Sequence, residues 1–167
     1  IFTADHGEML GDHHMSQKHL FFEGSAHVPL LILPPQGRSL PHNISVEAPT
    51  DLVDIYPTIL AMAGLSSPVS VSGKNLLEPV PMDRMFFGNS LNKNFCVMEE
   101  KVKLVYSAVG DHVLLFDLNT DPMEQHNLAE NPAWQERKAK LWKLLLEHTA
   151  QYTPEALGEN GQFLTYE

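Results

Sequence analysis

An aspartate and a histidine stand side by side at Asp5-His6, where the apolar run Ile1-Phe2-Thr3-Ala4 breaks off before Gly7-Glu8. A carboxylate oxygen beside an imidazole nitrogen suits a divalent cation, provided the two adjacent side chains diverge across a turn to reach one ion. Gly7 gives the backbone the freedom to make that turn. Without an ion, Asp5 caps the turn and His6 is a surface residue. Lys18 is the only lysine in the first 70 residues. In a site for an anionic substrate it is a point charge set against a developing oxyanion; otherwise it is a surface lysine. Glu23, after Phe21-Phe22, could orient Lys18 or a backbone loop, and His27 could point into the same site or cap the strand that follows it. His13-His14 and His19 raise the question of a separate zinc site. They lack the i, i+4 pairing and the acidic base of an HExxH helix, which favours solvated histidines or histidines that support a ligand from behind.

These residues need rigid elements to hold them. Residues 1–4 and 28–33 are continuous apolar runs, the pattern of buried strands in a parallel or mixed sheet. The stretch 5–26 between them is long, polar and aperiodic, which marks a functional loop. Pro34-Pro35-Gln36-Gly37 ends the second strand. Residues 51–64 predict a helix whose regular turns begin near Pro57 after a short 3₁₀ lead-in and whose C-cap is Gly64. Residues 65–82 predict a surface loop. Four short strands are predicted at 85–90, 95–99, 102–107 and 113–118, with Gly110-Asp111 in a hairpin and Asp121-Pro122 as the stop. A helix then opens at Asn131 or Pro132 and runs to about Gln151. Trp134, Leu141, Trp142, Leu144, Leu145 and His148 form its apolar stripe, which should lie on one face of the small antiparallel sheet. The tail after Thr153 predicts an extended or loose segment.

At 167 residues, 43% hydrophobic and 19% charged, the chain can build a core. A formal charge of −10 argues against a nucleic-acid partner. No apolar run approaches the roughly 20 residues of a membrane span. The single Cys96, in Phe95-Cys96-Val97-Met98, excludes an intrachain disulfide and predicts a buried, inert thiol. Asn43-Ile44-Ser45 fits a glycosylation acceptor, and no signal-peptide pattern is present, so compartment stays open.

Several motifs agree in order with the sulfatase family, of the alkaline-phosphatase-like superfamily. They are Thr3-Ala4-Asp5-His6-Gly7-Glu8, Gly11-Asp12-His13, Lys18 thirteen residues after the aspartate, Phe22-Glu23, and His27-Val28-Pro29-Leu30. Downstream, Thr50-Asp51-Leu52-Val53-Asp54-Ile55-Tyr56-Pro57-Thr58-Ile59-Leu60 and Ala63-Gly64 resemble the family's helix. Ser72-Gly73-Lys74-Asn75-Leu76-Leu77 resembles an Asp-Gly-x-Ser-Leu turn with departures at Ser72 and Asn75. Lys103-Leu104-Val105-Tyr106, Leu115-Phe116-Asp117-Leu118 and Asp121-Pro122-x-Glu124-x-x-Asn127-Leu128 resemble its carboxyl-terminal module.

The resemblance implies an α/β fold: residues 1–82 as the C-terminal part of the catalytic domain, residues 83–167 as a small subdomain with a four-stranded antiparallel sheet packed on a C-terminal helix. It implies that Asp5 and His6 are ligands of a calcium ion and that Lys18 contacts the sulfate; His13, Glu23 and His27 are the residues that could support them from behind. It also implies a sulfate-ester small molecule or glycan as substrate and a periplasmic, secreted or lysosomal setting. The family's nucleophile is a formylglycine made from the cysteine of Cys-x-Pro-x-Arg, a motif absent from these 167 residues; Cys96 is followed by Val97-Met98-Glu99 and is not that nucleophile. Two alternatives stand beside this one: a phosphonate or phosphodiester hydrolase of the same superfamily, and a non-catalytic binding module.

Overall fold

The computed structural model describes residues 1–18, 20–33 and 43–166, so His19 and the predicted stop at 34–37 lie outside the described residues. Two compact units form, Ile1–Asp5 with Pro29–Arg84, and His6–Val28 with Met85–Glu167.

In the first unit β1 (Phe2–Thr3) pairs antiparallel with β2 (Leu30–Leu31), Phe2 opposite Leu31 and Thr3 opposite Leu30. The buried strands expected from the two apolar runs are therefore short and open: Phe2 is 63% and Leu31 65% exposed. A continuous apolar run is what a doubly covered strand requires, but among the described residues each of these strands has one hydrogen-bonded neighbour. A 3₁₀ turn at Leu52–Asp54 runs into α2 (Ile55–Met62), and Pro57 falls in its first turn, where a missing N–H costs least. The helix ends at Met62 with Ala63 as its cap, one residue before the expected Gly64, which follows with φ 73° and whose N–H donates to Ala61 O at 3.1 Å while Leu65 N–H reaches back to Leu60 O at 2.9 Å.

Asp54 organises this unit. It has no exposed surface. Its carboxylate accepts the Arg84 guanidinium in a fork (2.5 and 2.9 Å), Lys74 N–H (2.7 Å) and Asp51 N–H (2.8 Å). Burial pushes the carboxyl up, but Arg84 and the two backbone donors outweigh it and hold Asp54 below the ordinary carboxylate range. Thr58 Oγ1 donates to Asp54 O (2.6 Å) and accepts Leu76 N–H (2.9 Å), so the 65–82 stretch is pinned to α2 at 74–76. Gly73 permits the approach, since a Cβ there would overlap the Val53 carbonyl.

The second unit holds β3 (Phe86–Ser90), β4 (Asn94–Glu99), β5 (Val102–Ser107) and β6 (His112–Asp117), an antiparallel meander in sequence order. A 3₁₀ turn at Pro132–Trp134, capped by Asn131 Oδ1 accepting Ala133 N–H at 3.0 Å, leads into α3 (Gln135–Tyr152). Leu141 and Leu145 of α3 are buried with Phe95, Val97, Leu104, Tyr106 and Leu115 on one sheet face. The His148 ring stacks on Phe87 at 3.9 Å. The opposite face is covered as well: Met9 and Phe22 pack on Phe116, with Met15, Leu20 and Leu114 around them. Double coverage explains why β5 is buried at five consecutive positions rather than at alternate ones.

The tail corrects the expectation of a loose segment. Ala108 O accepts Tyr166 N–H at 2.8 Å, and Gly110 N–H donates to Tyr166 O at 3.0 Å. Phe163 lies 4.5 Å from the Phe95 ring and 4.6 Å from Tyr106. Phe163, with Ala156 and Leu157 of the same stretch, returns enough apolar area to the core to order a largely polar tail.

β4 and β5 are joined by Glu100-Lys101, both with positive φ (52° and 63°). A two-residue hairpin of this kind favours Asn-Gly, and left-handed backbone costs other residues about 1–2 kcal/mol each. Glu100 is largely exposed and its 3.3 Å contact to Arg137 adds little. The double change Glu100→Asn, Lys101→Gly is therefore expected to stabilise the chain by about 1 kcal/mol, allowing for the added freedom of glycine when unfolded. A urea midpoint that falls would show that the Arg137 pair outweighs backbone strain.

Candidate functional site

The loop from His6 to Ala26 closes on itself through the backbone. Gly7 N–H donates to Ser25 O (2.8 Å) and Glu8 N–H to Gly24 O (3.0 Å), which fastens α1 (Glu23–Ala26) directly behind His6. Met9 N–H donates to Gln17 O at 3.0 Å, and Gln17 N–H reaches the Glu8 carboxylate. Leu10, His13, His14 and Gln17 all hold positive φ within this loop. Strained non-glycine backbone of this kind gathers at functional loops, where the surroundings over-determine it.

His6 is half-buried, while Asp5 and Lys18 are exposed. His6 Nδ1 lies 2.7 Å from Gly7 O. An Nδ1–H tautomer donates to that carbonyl and turns the lone pair of Nε2 outward, where it meets the Lys18 ammonium. The nitrogen that would bind a metal is thus the nitrogen the structure presents to a cation. His13 stacks on the Phe22 ring at 4.1 Å and is a packing residue of the loop.

The partner that Glu23 finds is Lys103. Lys103 Nζ donates to Glu23 Oε1 at 2.5 Å, and the other Glu23 oxygen meets His27 Nδ1 at 2.8 Å, with the His27 ring 75% exposed. Lys103 also donates to Glu124 Oε1 (2.8 Å) and Phe21 O (2.9 Å). Burial presses the Lys103 ammonium down, but Glu23 and Glu124 outweigh it and hold it above the usual lysine range. Its contribution to stability is full below the unfolded lysine value and lost only as pH rises through the folded one, so it is constant across neutral pH. Lys103 and Glu124 were visible as parts of two motifs, yet motif order gave them no role. The available signal was a lone charge inside the apolar run Val102-Lys103-Leu104-Val105-Tyr106, which requires a buried partner. Cys96 is buried, and burial pushes its thiol up to about 12 despite the pull of Lys103. It is no nucleophile at neutral pH.

Asp5 and His6 fit a divalent cation by donor chemistry, as part of a shell. Calcium takes about 6–8 oxygen-rich ligands, and among the described residues no group of three or more His, Cys, Asp or Glu stands together to hold an ion. Among the described residues no helix is long and apolar enough to cross a membrane.

The two-stranded ribbon, the antiparallel meander and the C-terminal helix make up the C-terminal part of an alkaline-phosphatase-like α/β fold, the fold of solved sulfatase structures. The family described as N-sulphoglucosamine sulphohydrolase, C-terminal, matches residues 11–151, and the chain belongs to it. Arylsulfatase K of Bos taurus is 34% identical over 148 residues, covering 77% of this chain and 27% of the relative. Choline-sulfatase of Rhizobium meliloti is 39% identical over 144 residues, covering 79% and 27%. The chain thus spans about a quarter of the length of these curated relatives. Among solved structures, the phosphonate monoester hydrolase of Agrobacterium radiobacter is 31% identical, covers 100% of this chain and 39% of its own, and superimposes with a TM-score of 0.68. Membership of the sulfatase family is consistent with a bound metal and a formylglycine in the intact protein.

Proposed function

We propose that this chain is the C-terminal part of a sulfuric-ester hydrolase, in which residues 1–82 complete the catalytic domain and residues 83–167 form the small subdomain. Asp5 and His6 supply two ligands to a calcium ion, and Lys18 contacts the sulfuryl group. The observation that carries this reading is the meeting of Lys18, which lies in the family-matched segment 11–151, with the outward lone pair of His6 just before that segment. A metal held there would supply positive charge to the sulfuryl oxygens. Lys18 adds a second positive charge, placed where negative charge grows in the transition state. The Nδ1 bond to Gly7 O keeps His6 in the tautomer a ligand needs. Its substrates are sulfate esters of small molecules or glycans; the names arylsulfatase and choline-sulfatase give sulfate esters for those relatives.

The likeness to the phosphonate monoester hydrolase over the whole chain favours a second reading, an enzyme of the same superfamily acting on phosphonate or phosphate esters. Assaying the intact enzyme on the sulfate and phosphate monoesters of one phenol separates the two. Preference for the phosphate ester by more than about tenfold would overturn the sulfatase assignment. The 167-residue chain alone is expected to show no arylsulfate hydrolysis with calcium present. It has no Cys-x-Pro-x-Arg motif, and loss of a covalent nucleophile typically costs orders of magnitude in rate. Turnover by the purified chain that Asp5→Ala abolishes would contradict this.

A further inference from the structure

Lys103 lies on the sheet face that α3 does not touch, opposite Met98 on β4 and Phe116 on β6. It is 3% exposed, and its three ammonium protons meet three acceptors, Phe21 O, Glu23 Oε1 and Glu124 Oε1. Glu124 is equally buried, and its second oxygen accepts Glu23 N–H at 2.7 Å. Glu124 also holds φ at 55°, so strained backbone serves to aim this carboxylate. Beside them the Phe21 ring rests on bare strand: a Cβ at Gly88 of β3 would come 2.5 Å from it. A buried ionic cluster is often no more stable than apolar residues of the same volume. Stability alone therefore does not account for a charge at this position in β5.

What the cluster grips is the first residue of α1. From Glu23 the path to the site is short. Gly24 O and Ser25 O hold the amides of Glu8 and Gly7, and Gly7 follows His6, whose ring meets Lys18. We infer that Lys103 and Glu124 are positioning residues: a buried charged clamp on the C-terminal sheet that fixes α1 and so sets the place of His6 and Lys18. Its bearing on catalysis rests on the sulfatase reading; the clamp itself does not.

The test uses the double variant Lys103→Met, Glu124→Gln, which removes both charges, keeps similar volumes and leaves an amide oxygen for Glu23 N–H. Hydrogen exchange is followed by NMR in the 167-residue chain. The Gly7 and Glu8 amides are expected to exchange at least about tenfold faster, while Leu104 and Val105 of β5 and Leu141 of α3 keep their rates. Gly88→Ala, which leaves every charge in place and displaces Phe21, is expected to raise the same two rates. Unchanged rates at Gly7 and Glu8 overturn the clamp. An equal rise through β5 also overturns it, because it reduces the cluster to overall stability. In the intact enzyme the double variant is expected to lower kcat about tenfold to a hundredfold with KM changed less, since small misplacements of reacting groups act on the chemical step. Selective exchange beside an unaltered kcat upholds the clamp and overturns the assignment of His6 and Lys18.

Discussion

Replacing Lys18 by alanine in the intact enzyme is expected to lower kcat by about 10²–10³, the scale seen when one preorganised donor to a developing oxyanion is removed. KM should change far less. A charge placed where negative charge develops is worth more in the transition state than in the ground state. Lys18→Arg is expected to recover only part of the loss, because the planar guanidinium does not substitute for a compact ammonium resting against His6 Nε2. The ordinary alternative is an exposed surface lysine, for which substitution leaves kcat unchanged and shifts stability by no more than about 0.5 kcal/mol. Steady-state kinetics of Lys18→Ala decide between them, and an unchanged kcat removes Lys18 from the site.

The second large effect concerns the frame of the first unit. Arg84→Met is expected to destabilise it by about 3–5 kcal/mol near neutral pH, the scale for removing one partner of a buried ion pair. Asp54 would keep two backbone donors but lose its counter-charge. The pH dependence follows from the lowered Asp54 carboxyl. In the parent chain its contribution is present above the unfolded value of about 3.9 and is lost as pH falls through the lower folded value. In the variant, burial without Arg84 raises the carboxyl, so acid relieves the unpaired charge. The stability gap should begin to narrow as pH falls through the variant's raised carboxyl value and go on narrowing below about pH 4, where the parent loses its own contribution. Asp54→Asn combined with Arg84→Met should recover much of the loss. Denaturation curves at neutral and acid pH measure both effects, and a gap that stays constant across pH rules out the unpaired charge as its cause.

The second unit was the more legible of the two in sequence. Its four strands fall within one or two residues of the predicted ranges, because turn residues break its apolar runs. α2 and α3 were legible from three- and four-residue spacing and from Gly64 and Asn131 at their ends. What escaped were contacts without a period. Ala156 and Phe163 are core residues in a largely polar tail, and nothing local marks them as core. Met9 and Phe22 cover the second sheet face from a loop with no regular pattern. The two apolar runs near Asp5 predicted buried strands, since composition records what a strand tolerates and does not count its neighbours. In the candidate site, residue type pointed to His6 and Lys18, while the tautomer that joins them depends on a carbonyl one residue away. Lys103 was hidden because its partners lie 80 residues before and 21 residues after it.

That separation sets an order of events during synthesis. β3 to β6 pair only with their neighbours in sequence, so the meander forms from local contacts soon after it leaves the ribosome. The loop carrying His6 and Lys18 emerges much earlier, yet Glu124, which receives the Glu23 amide, follows 101 residues later. At about 5–20 residues per second, that is a wait of roughly 5–20 seconds. A nascent chain therefore carries its cation-facing loop with only part of the clamp until Glu124 is made, and a chain cut short before Glu124 never completes it.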